Sequence, residues 1–145
     1  MRICHLGKFY PPALGGIETH LRTLAQAQSV LGASVQVVCV NHANAAGNDV
    51  TWRTIARTPH AEEKDGRVDV ARLGRWASFA RLDICPGLPF LLRRLQSSCD
   101  LLHLHVPNPT MMLALALVRP RVPWVITYHS DVVKQKLLRK LVRPF

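Results

Sequence analysis

The amino-acid sequence predicts an α/β protein built around a doubly wound parallel sheet. Short runs of apolar, often β-branched residues alternate along the chain with segments whose apolar residues recur at helical spacing. The first strand, helix and strand fall within residues 2–40, and such a βαβ unit has by default a right-handed crossover and parallel strands. The 145 residues, 48% of them hydrophobic, are enough to bury the core of one globular domain.

The first βαβ unit is defined by its residue pattern. Residues 2–6 form an apolar run that ends at Gly7, which is typical of a buried parallel strand. Residues 17–31 carry apolar side chains at helical spacing, and Gly32 is a natural C-terminal stop for that helix. Residues 35–40 are rich in β-branched side chains and predict the second strand.

Two further strands and one helix are predicted in the middle of the chain. The strands cover residues 51–56 and 67–73, and the charged residues 62–66 between them predict a solvent-exposed turn. Residues 86–95 predict a helix, because Pro86 stands near its start, where proline is tolerated.

The last third of the chain predicts two more strands, each followed by a helix. Residues 101–105 and 124–128 form the apolar strands, and a short apolar helix between them ends at Val118. The final helix, residues 132–143, has apolar side chains on one side and Lys or Arg on the other. Such a basic face is usually solvated, but it also suits an anionic membrane surface or a polyanionic partner.

The chain carries a large excess of positive charge. Nineteen Lys and Arg oppose nine Asp and Glu, for a formal net charge of +10. This excess favours nucleic acid, anionic lipid or phosphorylated small molecules as partners, and charge alone does not choose among them. Because the sequence has no zinc-finger spacing and no RNA-binding aromatic motif, we do not expect nucleic acid. The longest apolar run, residues 111–118, is too short to span a bilayer.

The four cysteines are scattered along the chain without a C-x-x-C pair. Two of them, Cys4 and Cys39, lie inside strand-like runs. We therefore interpret all four as reduced, buried residues of a cytoplasmic protein and not as a disulfide framework. The opening residues do not match a secretory signal, in agreement with that location.

Four loops follow the carboxyl ends of predicted strands, at residues 7–16, 41–48, 105–109 and 129–131. Polar residues and glycines cluster in these loops. Because open parallel sheets bind their ligands beyond the carboxyl ends of the strands, we expect the functional site at this edge.

Gly15 and Gly16 end the first of these loops, at the start of the predicted helix. Glycines there let backbone N–H groups approach an anion, and the helix dipole attracts phosphate. The loop matches neither G-x-x-x-x-G-K-[ST] nor G-x-G-x-x-G, so it is neither a P-loop nor a dinucleotide fingerprint. A tight turn that requires glycine is the alternative.

Three histidines stand near the ends of the two C-terminal strands. His103 and His105 share one face of their strand, because side chains alternate there. With no third ligand at a useful spacing, a hydrogen-bonded pair is favoured over a metal site. His129 closes the last strand and is expected to face the crevice. The neighbouring Ser130 and Asp131 form no hydrolase triad with it, since adjacent residues cannot converge in that way.

Four segments stand in a characteristic order along the chain. They are the opening strand up to Gly7, the G-G-I-E-T-H loop at residues 15–20, the D-L-L-H-L-H strand at 100–105 followed by P-N-P at 107–109, and T-Y-H-S-D-V-V at 127–133. Together they resemble the N-terminal domain of the GT-B glycosyltransferases of family 4 (group 1), and the resemblance spans the whole chain. The His-Ser-Asp form is most similar to bacterial mannosyl- or related hexosyltransferases of surface-polysaccharide and lipid-linked glycan assembly.

The resemblance implies roles for five residues. Gly15 and Gly16 match the glycines whose backbone meets the donor diphosphate, and His129 matches the histidine that contacts the transferred sugar. Tyr10 and Lys134 fall where relatives contact the acceptor, and the ammonium of Lys134 would suit a phosphate-bearing group.

The implied reaction is transfer of a mannose-like hexose from a nucleotide-diphosphate sugar to a hydroxyl of a glycan or lipid-linked acceptor, with retained anomeric configuration. The family stabilises the leaving group without an essential metal, and the chain has no D-x-D motif, so we expect neither metal nor cofactor. We expect a cytoplasmic location, with the helix over residues 132–143 at the inner face of the cytoplasmic membrane. The alternative is a non-catalytic, Rossmann-like basic module that binds anionic lipid or nucleic acid.

The resemblance also implies that residues 1–145 are the N-terminal, acceptor-side half of a two-domain enzyme. In GT-B enzymes the second domain holds most of the nucleotide and carries an E-x7-E motif, which these residues do not contain. We therefore expect this half on its own to bind substrates weakly and to turn over little or nothing.

Overall fold

The structure is a computed structural model, and it describes residues 1–42, 53–54, 57–80 and 82–129. Its helices are α1 (Gly16–Val30), α2 (Leu88–Ser98) and α3 (Pro109–Val118). Its strands are β1 (Arg2–Leu6), β2 (Ser34–Val40), β3 (Arg53–Thr54), β4 (Ala61–Asp65), β5 (Val68–Leu73), β6 (Ala77–Phe79), β7 (Leu82–Ile84), β8 (Leu101–Val106) and β9 (Trp124–Tyr128).

Six of these strands form the central sheet, in the order β4-β5-β2-β1-β8-β9. The five strands from β5 to β9 in that order run parallel, and β4 is antiparallel at the edge. From β1 the chain moves outward to β2, and it later returns to β8 on the other side of β1. The strand order therefore diverges between β1 and β8, which is where such sheets bind ligands.

Helices cover both faces of this sheet. On one face, Leu21 and Ala25 of α1 pack with Val37 of β2 in one buried cluster. On the other, α2 and α3 pack through residues such as Leu92 and Met111 against alternate residues of β1, β2 and β8. Strands that are buried on both faces read as nearly continuous apolar runs, which is why these strands are recognisable in the sequence. The prediction of an α/β fold with a mostly parallel, doubly wound sheet is confirmed.

The expectation of a solvent-exposed turn over residues 62–66 is wrong. Residues Ala61–Asp65 form β4, which pairs with β5 in an antiparallel hairpin whose turn contains Gly66 at φ 63°. The charged side chains suit this strand because it lies at the sheet edge, where charge discourages further pairing. Cross-strand ion pairs use those charges, as between Glu63 Oε1 and Arg72 Nη2 at 2.6 Å.

Other predicted elements are confirmed with shifted bounds. The helix predicted at 86–95 runs over Leu88–Ser98, and the strand predicted at 51–56 is described only at Arg53–Thr54. There β3 joins β6 and β7 in a small separate antiparallel sheet. The helix predicted over residues 132–143 lies outside the described residues.

All four cysteines are buried free thiols, as predicted. Among the residues that the structure describes, no helix has both the length and the apolar character needed to cross a membrane.

Candidate active site

The carboxyl ends of β1, β8 and β9 meet at one edge of the sheet, beside α1. His129 directly follows β9 and is held there by its backbone N–H, which donates to the carbonyl of Val106 at 3.1 Å. Because β8 and β9 are parallel neighbours, His105 in β8 pairs with Thr127 in β9, two residues before His129. The sequence therefore folds so that His129 sits at the edge predicted for the site.

Five of the seven histidines gather at this edge. His5 in β1 is the register partner of His103 in β8, and His105 projects from the same face of β8 two residues later. The ring of His129 lies nearly parallel to that of His105, at an interplanar angle of 18° with centroids 5.3 Å apart. His20 reaches His129 from α1, its centroid 4.9 Å away in an edge-on arrangement.

Hydrogen bonds join three of these rings to one glutamine. Nδ1 of His5 lies 3.0 Å from Nε2 of His105, and Nδ1 of His105 lies 3.0 Å from Nε2 of His129. At the inner end, Nε2 of His5 lies 2.7 Å from Oε1 of Gln28 in α1. A continuous chain of four side chains thus runs from α1 across the buried face of the sheet to the site edge.

His103 stands beside this chain. Its ring stacks on that of His105, with centroids 4.4 Å apart, and its Nε2 lies 2.7 Å from Oγ1 of Thr127. The sequence predicts a hydrogen-bonded pair at residues 103 and 105; the fold makes each ring part of a larger network, with partners on β1 and β9.

Burial favours the neutral form of His5, His105 and His129. His5 is 0% exposed and His105 is 1% exposed. Burial lowers the pKa of His5 to about 4, although the hydrogen bond to Gln28 opposes the shift, and burial lowers that of His105 to about 3; neighbouring histidines add smaller contributions. Burial, assisted by His20, also lowers the pKa of His129, while Glu18 opposes the shift. A neutral ring at His129 offers one donor and one acceptor to a ligand or neighbour.

Two sets of three histidines have the donor geometry for a metal ion. One set is His5, His103 and His105, and the other is His20, His105 and His129, with one nitrogen from each ring within 4.8 Å of the others. Imidazole ligands suit zinc, copper or nickel. The sequence shows no third ligand beside residues 103 and 105, because His5 and His20 come from distant segments. The expectation of no metal stays a prediction.

Gly15 and Gly16 form the amino end of α1. Gly15 is the N-cap with extended backbone and no side-chain capping bond, and its carbonyl accepts from the backbone N–H of Thr19 at 3.1 Å. A Cβ on Gly16 would meet nothing within 4 Å, whereas a Cβ on Gly15 would meet the carboxylate of Glu18 in the first turn of α1. Gly16 and His20 are four residues apart and share one face of the helix. Since His20 contacts His129, the paired glycines and His129 lie at the same edge of the fold.

Tyr10 lies apart from the group of histidines. Its side chain is 2% exposed in the cluster beneath α1, and its hydroxyl donates to Oδ2 of Asp65 at 2.8 Å. Arg22 of α1 donates two hydrogen bonds, of 2.7 and 2.8 Å, to the same carboxylate. Among the described contacts none joins Tyr10 to the histidines, and Lys134 lies outside the described residues. Their acceptor roles stay predictions.

A second polar group, which the sequence analysis did not identify, surrounds Asp83 of β7. Its buried carboxylate lies 3.5 Å from Lys8 Nζ, 3.6 Å from Arg75 Nη1 and 3.7 Å from His42 Nε2. Burial favours the neutral acid, but the neighbouring imidazole of His42 and the charge of Lys8 outweigh it, so the pKa of Asp83 is lowered. Three of these residues, Lys8, His42 and Arg75, follow β1, β2 and β5, and that recurrence of polar residues after strands was the available signal.

Comparison with known proteins identifies the family of this chain. Residues 15–145 match the family described as "Glycosyl transferase 4-like domain", so the chain belongs to that family. Family 4 and the GT-B fold are the assignments that the sequence motifs predicted.

Two curated relatives match nearly the whole of this chain. The chain is similar to O-antigen chain mannosyltransferase C of Escherichia coli, with 30% identity over 99% of this chain and 35% of that protein. It is equally similar to D-rhamnosyltransferase WbpZ of Pseudomonas aeruginosa, with 30% identity over 99% of this chain and 34% of that one. The chain therefore spans about a third of the length of these curated relatives.

A solved structure shows the same fold. Sucrose-phosphate synthase from Thermosynechococcus elongatus superposes with a TM-score of 0.54 at 18% identity, covering 89% of this chain and 33% of that one. At this identity the likeness concerns the fold alone.

Proposed function

We propose that this chain is the N-terminal, acceptor-side domain of a retaining hexosyltransferase. The enzyme would move a mannose-like hexose from a nucleotide-diphosphate sugar to a glycan or lipid-linked acceptor in surface-polysaccharide or glycolipid synthesis. One observation carries the proposal: the neutral imidazole of His129 stands at the carboxyl end of β9 and contacts His20 of α1, one helical turn after Gly16. The names of the two relatives, a mannosyltransferase and a rhamnosyltransferase, support the sugar class.

The chemistry at this edge divides between backbone and side chain. As the sugar leaves the diphosphate, negative charge grows on the leaving group and positive charge grows at the anomeric carbon. The N–H groups at Gly15 and Gly16, aided by the dipole of α1, are suited to the leaving group. A neutral His129 adds no positive charge beside the anomeric carbon and can hydrogen-bond a sugar hydroxyl. We assign no metal or cofactor to this reaction.

We assign Lys134 to an acceptor contact, and the helix predicted over residues 132–143 to the anionic inner face of the cytoplasmic membrane. Vesicle flotation tests the membrane assignment. The chain should bind vesicles of anionic phospholipid at low salt and lose them at high salt. Failure to bind at low salt would contradict it.

A chimera tests the activity. The third of E. coli O-antigen chain mannosyltransferase C that aligns with this chain would be replaced by residues 1–145, and sugar transfer would be measured. We expect transfer by the chimera and a loss of at least about 100-fold in His129→Ala. The exposed His60 supplies the matched control, since His60→Ala should leave the rate unchanged. Equal rates in both variants, with both folded, would remove His129 from the active site.

A further inference from the structure

The hydrogen-bond chain from Gln28 to His129 has a direction. Oε1 of Gln28 can only accept, so Nε2 of His5 carries the proton in their 2.7 Å bond. A neutral imidazole has one N–H, so Nδ1 of His5 is an acceptor and Nε2 of His105 must donate to it. By the same step, Nδ1 of His105 accepts and Nε2 of His129 donates. Each ring is thereby set in the Nε2–H tautomer.

The chain of hydrogen bonds requires that its imidazole rings are neutral. A proton added to His5 or His105 would make both nitrogens of that ring donors, and one N–H would then face another across 3.0 Å. Burial disfavours such a charge, since both rings are almost fully removed from solvent. The backbone supports the arrangement, because β1, β8 and β9 are adjacent in the sheet.

We propose that Gln28, His5 and His105 are positioning residues that set the tautomer of His129, so that its Nδ1 presents a lone pair to a hydroxyl of the transferred sugar. The tautomer follows from the contacts alone, and its use on the sugar rests on the proposed function. An acceptor nitrogen pairs with a hydroxyl hydrogen, and its lone pair also favours the positive charge that grows at the anomeric carbon.

The same contacts argue against a metal ion at the histidines. Both possible metal sets include His105. In the inferred tautomer, Nε2 of His105 holds a proton and the lone pair of its Nδ1 is used by His129. A metal would have to displace one of these bonds, which makes metal binding a distinguishable outcome of the test.

Nuclear magnetic resonance on the ¹⁵N-labelled 145-residue chain tests the tautomers directly. We expect scalar couplings across two N–H···N bonds, from Nε2 of His105 to Nδ1 of His5 and from Nε2 of His129 to Nδ1 of His105. Both signals should persist with one equivalent of zinc chloride. Absent couplings, couplings of the opposite polarity, or their loss on adding zinc would each overturn the proposed chain.

The chimera tests whether the tautomer is used. Gln28→Met removes the acceptor at the inner end while keeping the length of the side chain. We expect transfer to fall about fivefold, the effect of one lost hydrogen bond, and the His129 ring to show mixed tautomers. Gln26→Met, on the same helix but outside the chain of rings, should change neither. Couplings present with unchanged transfer in Gln28→Met would overturn the role on the sugar and leave the proposed function standing.

Discussion

Nδ1 of His105 lies 3.0 Å from Nε2 of His129, and this contact joins a buried residue of β8 to the edge where sugar transfer is proposed. Residues in the core and at the site are therefore coupled. Stability and activity measurements on the same variants can separate the two effects.

The stability of the domain should fall with acid over the range where free histidine titrates. In the fold the pKa of His5 is about 4 and that of His105 about 3, both below the ordinary 6.5. Below about pH 6.5 the histidines of the unfolded chain bind protons, whereas His5 and His105 of the folded chain stay neutral down to about pH 4 and 3. The free energy of unfolding is therefore highest above about pH 6.5 and declines below it. Each of the two rings should contribute about 1 to 3 kcal/mol to this loss of unfolding free energy.

Urea unfolding at pH 7.5, 6 and 5 measures this decline. The lowered pKa values of Asp65 and Asp83 affect stability only below about pH 4, so they do not contribute to the change between pH 7.5 and 5. His5→Leu should reduce the dependence of the unfolding free energy on pH, and His60→Asn, at an exposed position, should leave that dependence unchanged. An unchanged free energy of unfolding from pH 7.5 to 5 would contradict the burial of neutral rings.

Asp83→Asn should destabilise the domain strongly. The carboxylate is buried and faces Lys8, Arg75 and His42, and its loss removes the negative charge at their centre. We expect the free energy of unfolding to fall by about 2 to 4 kcal/mol. Asp69→Asn is the matched control, because its ion pair with Lys64 is exposed and should cost less than about 1 kcal/mol. Similar losses in the two variants would contradict the importance of burial.

Two substitutions at Gly16 should separate backbone shape from backbone N–H. Alanine fits, since its Cβ meets nothing within 4 Å, and proline suits the first position of a helix but lacks the N–H. In the chimera, Gly16→Pro should raise the donor KM about tenfold, as expected for a lost charge-assisted hydrogen bond, and Gly16→Ala should change it little. Circular dichroism would check that α1 is retained. Equal donor KM values would remove this N–H from diphosphate binding.

Tyr10→Phe should lower stability. The hydroxyl donates to Asp65, which Arg22 also binds, and the variant leaves that carboxylate with one donor fewer. Thermal unfolding should show a loss of about 1 kcal/mol. A rise in the acceptor KM of the chimera in the same variant would support the predicted acceptor contact. A wild-type unfolding free energy would argue against the bond to Asp65.

Local residue pattern was sufficient to predict most elements. The buried strands are apolar runs, α1 follows helical spacing and ends near Gly32, and the four thiols are buried and free. Alternation along a strand also placed His103 and His105 on one face. The failure at residues 62–66 has a physical cause: a charged segment becomes a strand only because β5 lies beside it, and pairing is not local information.

Motifs in the sequence alone determined the family, the parallel sheet and the edge at which to look for the site. The tertiary structure decided which side chains meet there. His5 and His105 are 100 residues apart, and only the placement of β1 beside β8 brings their rings to 3.0 Å. Gln28, which carries no recognisable signal in its own segment, became the end of the hydrogen-bond chain because α1 packs over that face. Strand order depends on contacts between distant parts of the chain, and residue spacing along the sequence does not encode it.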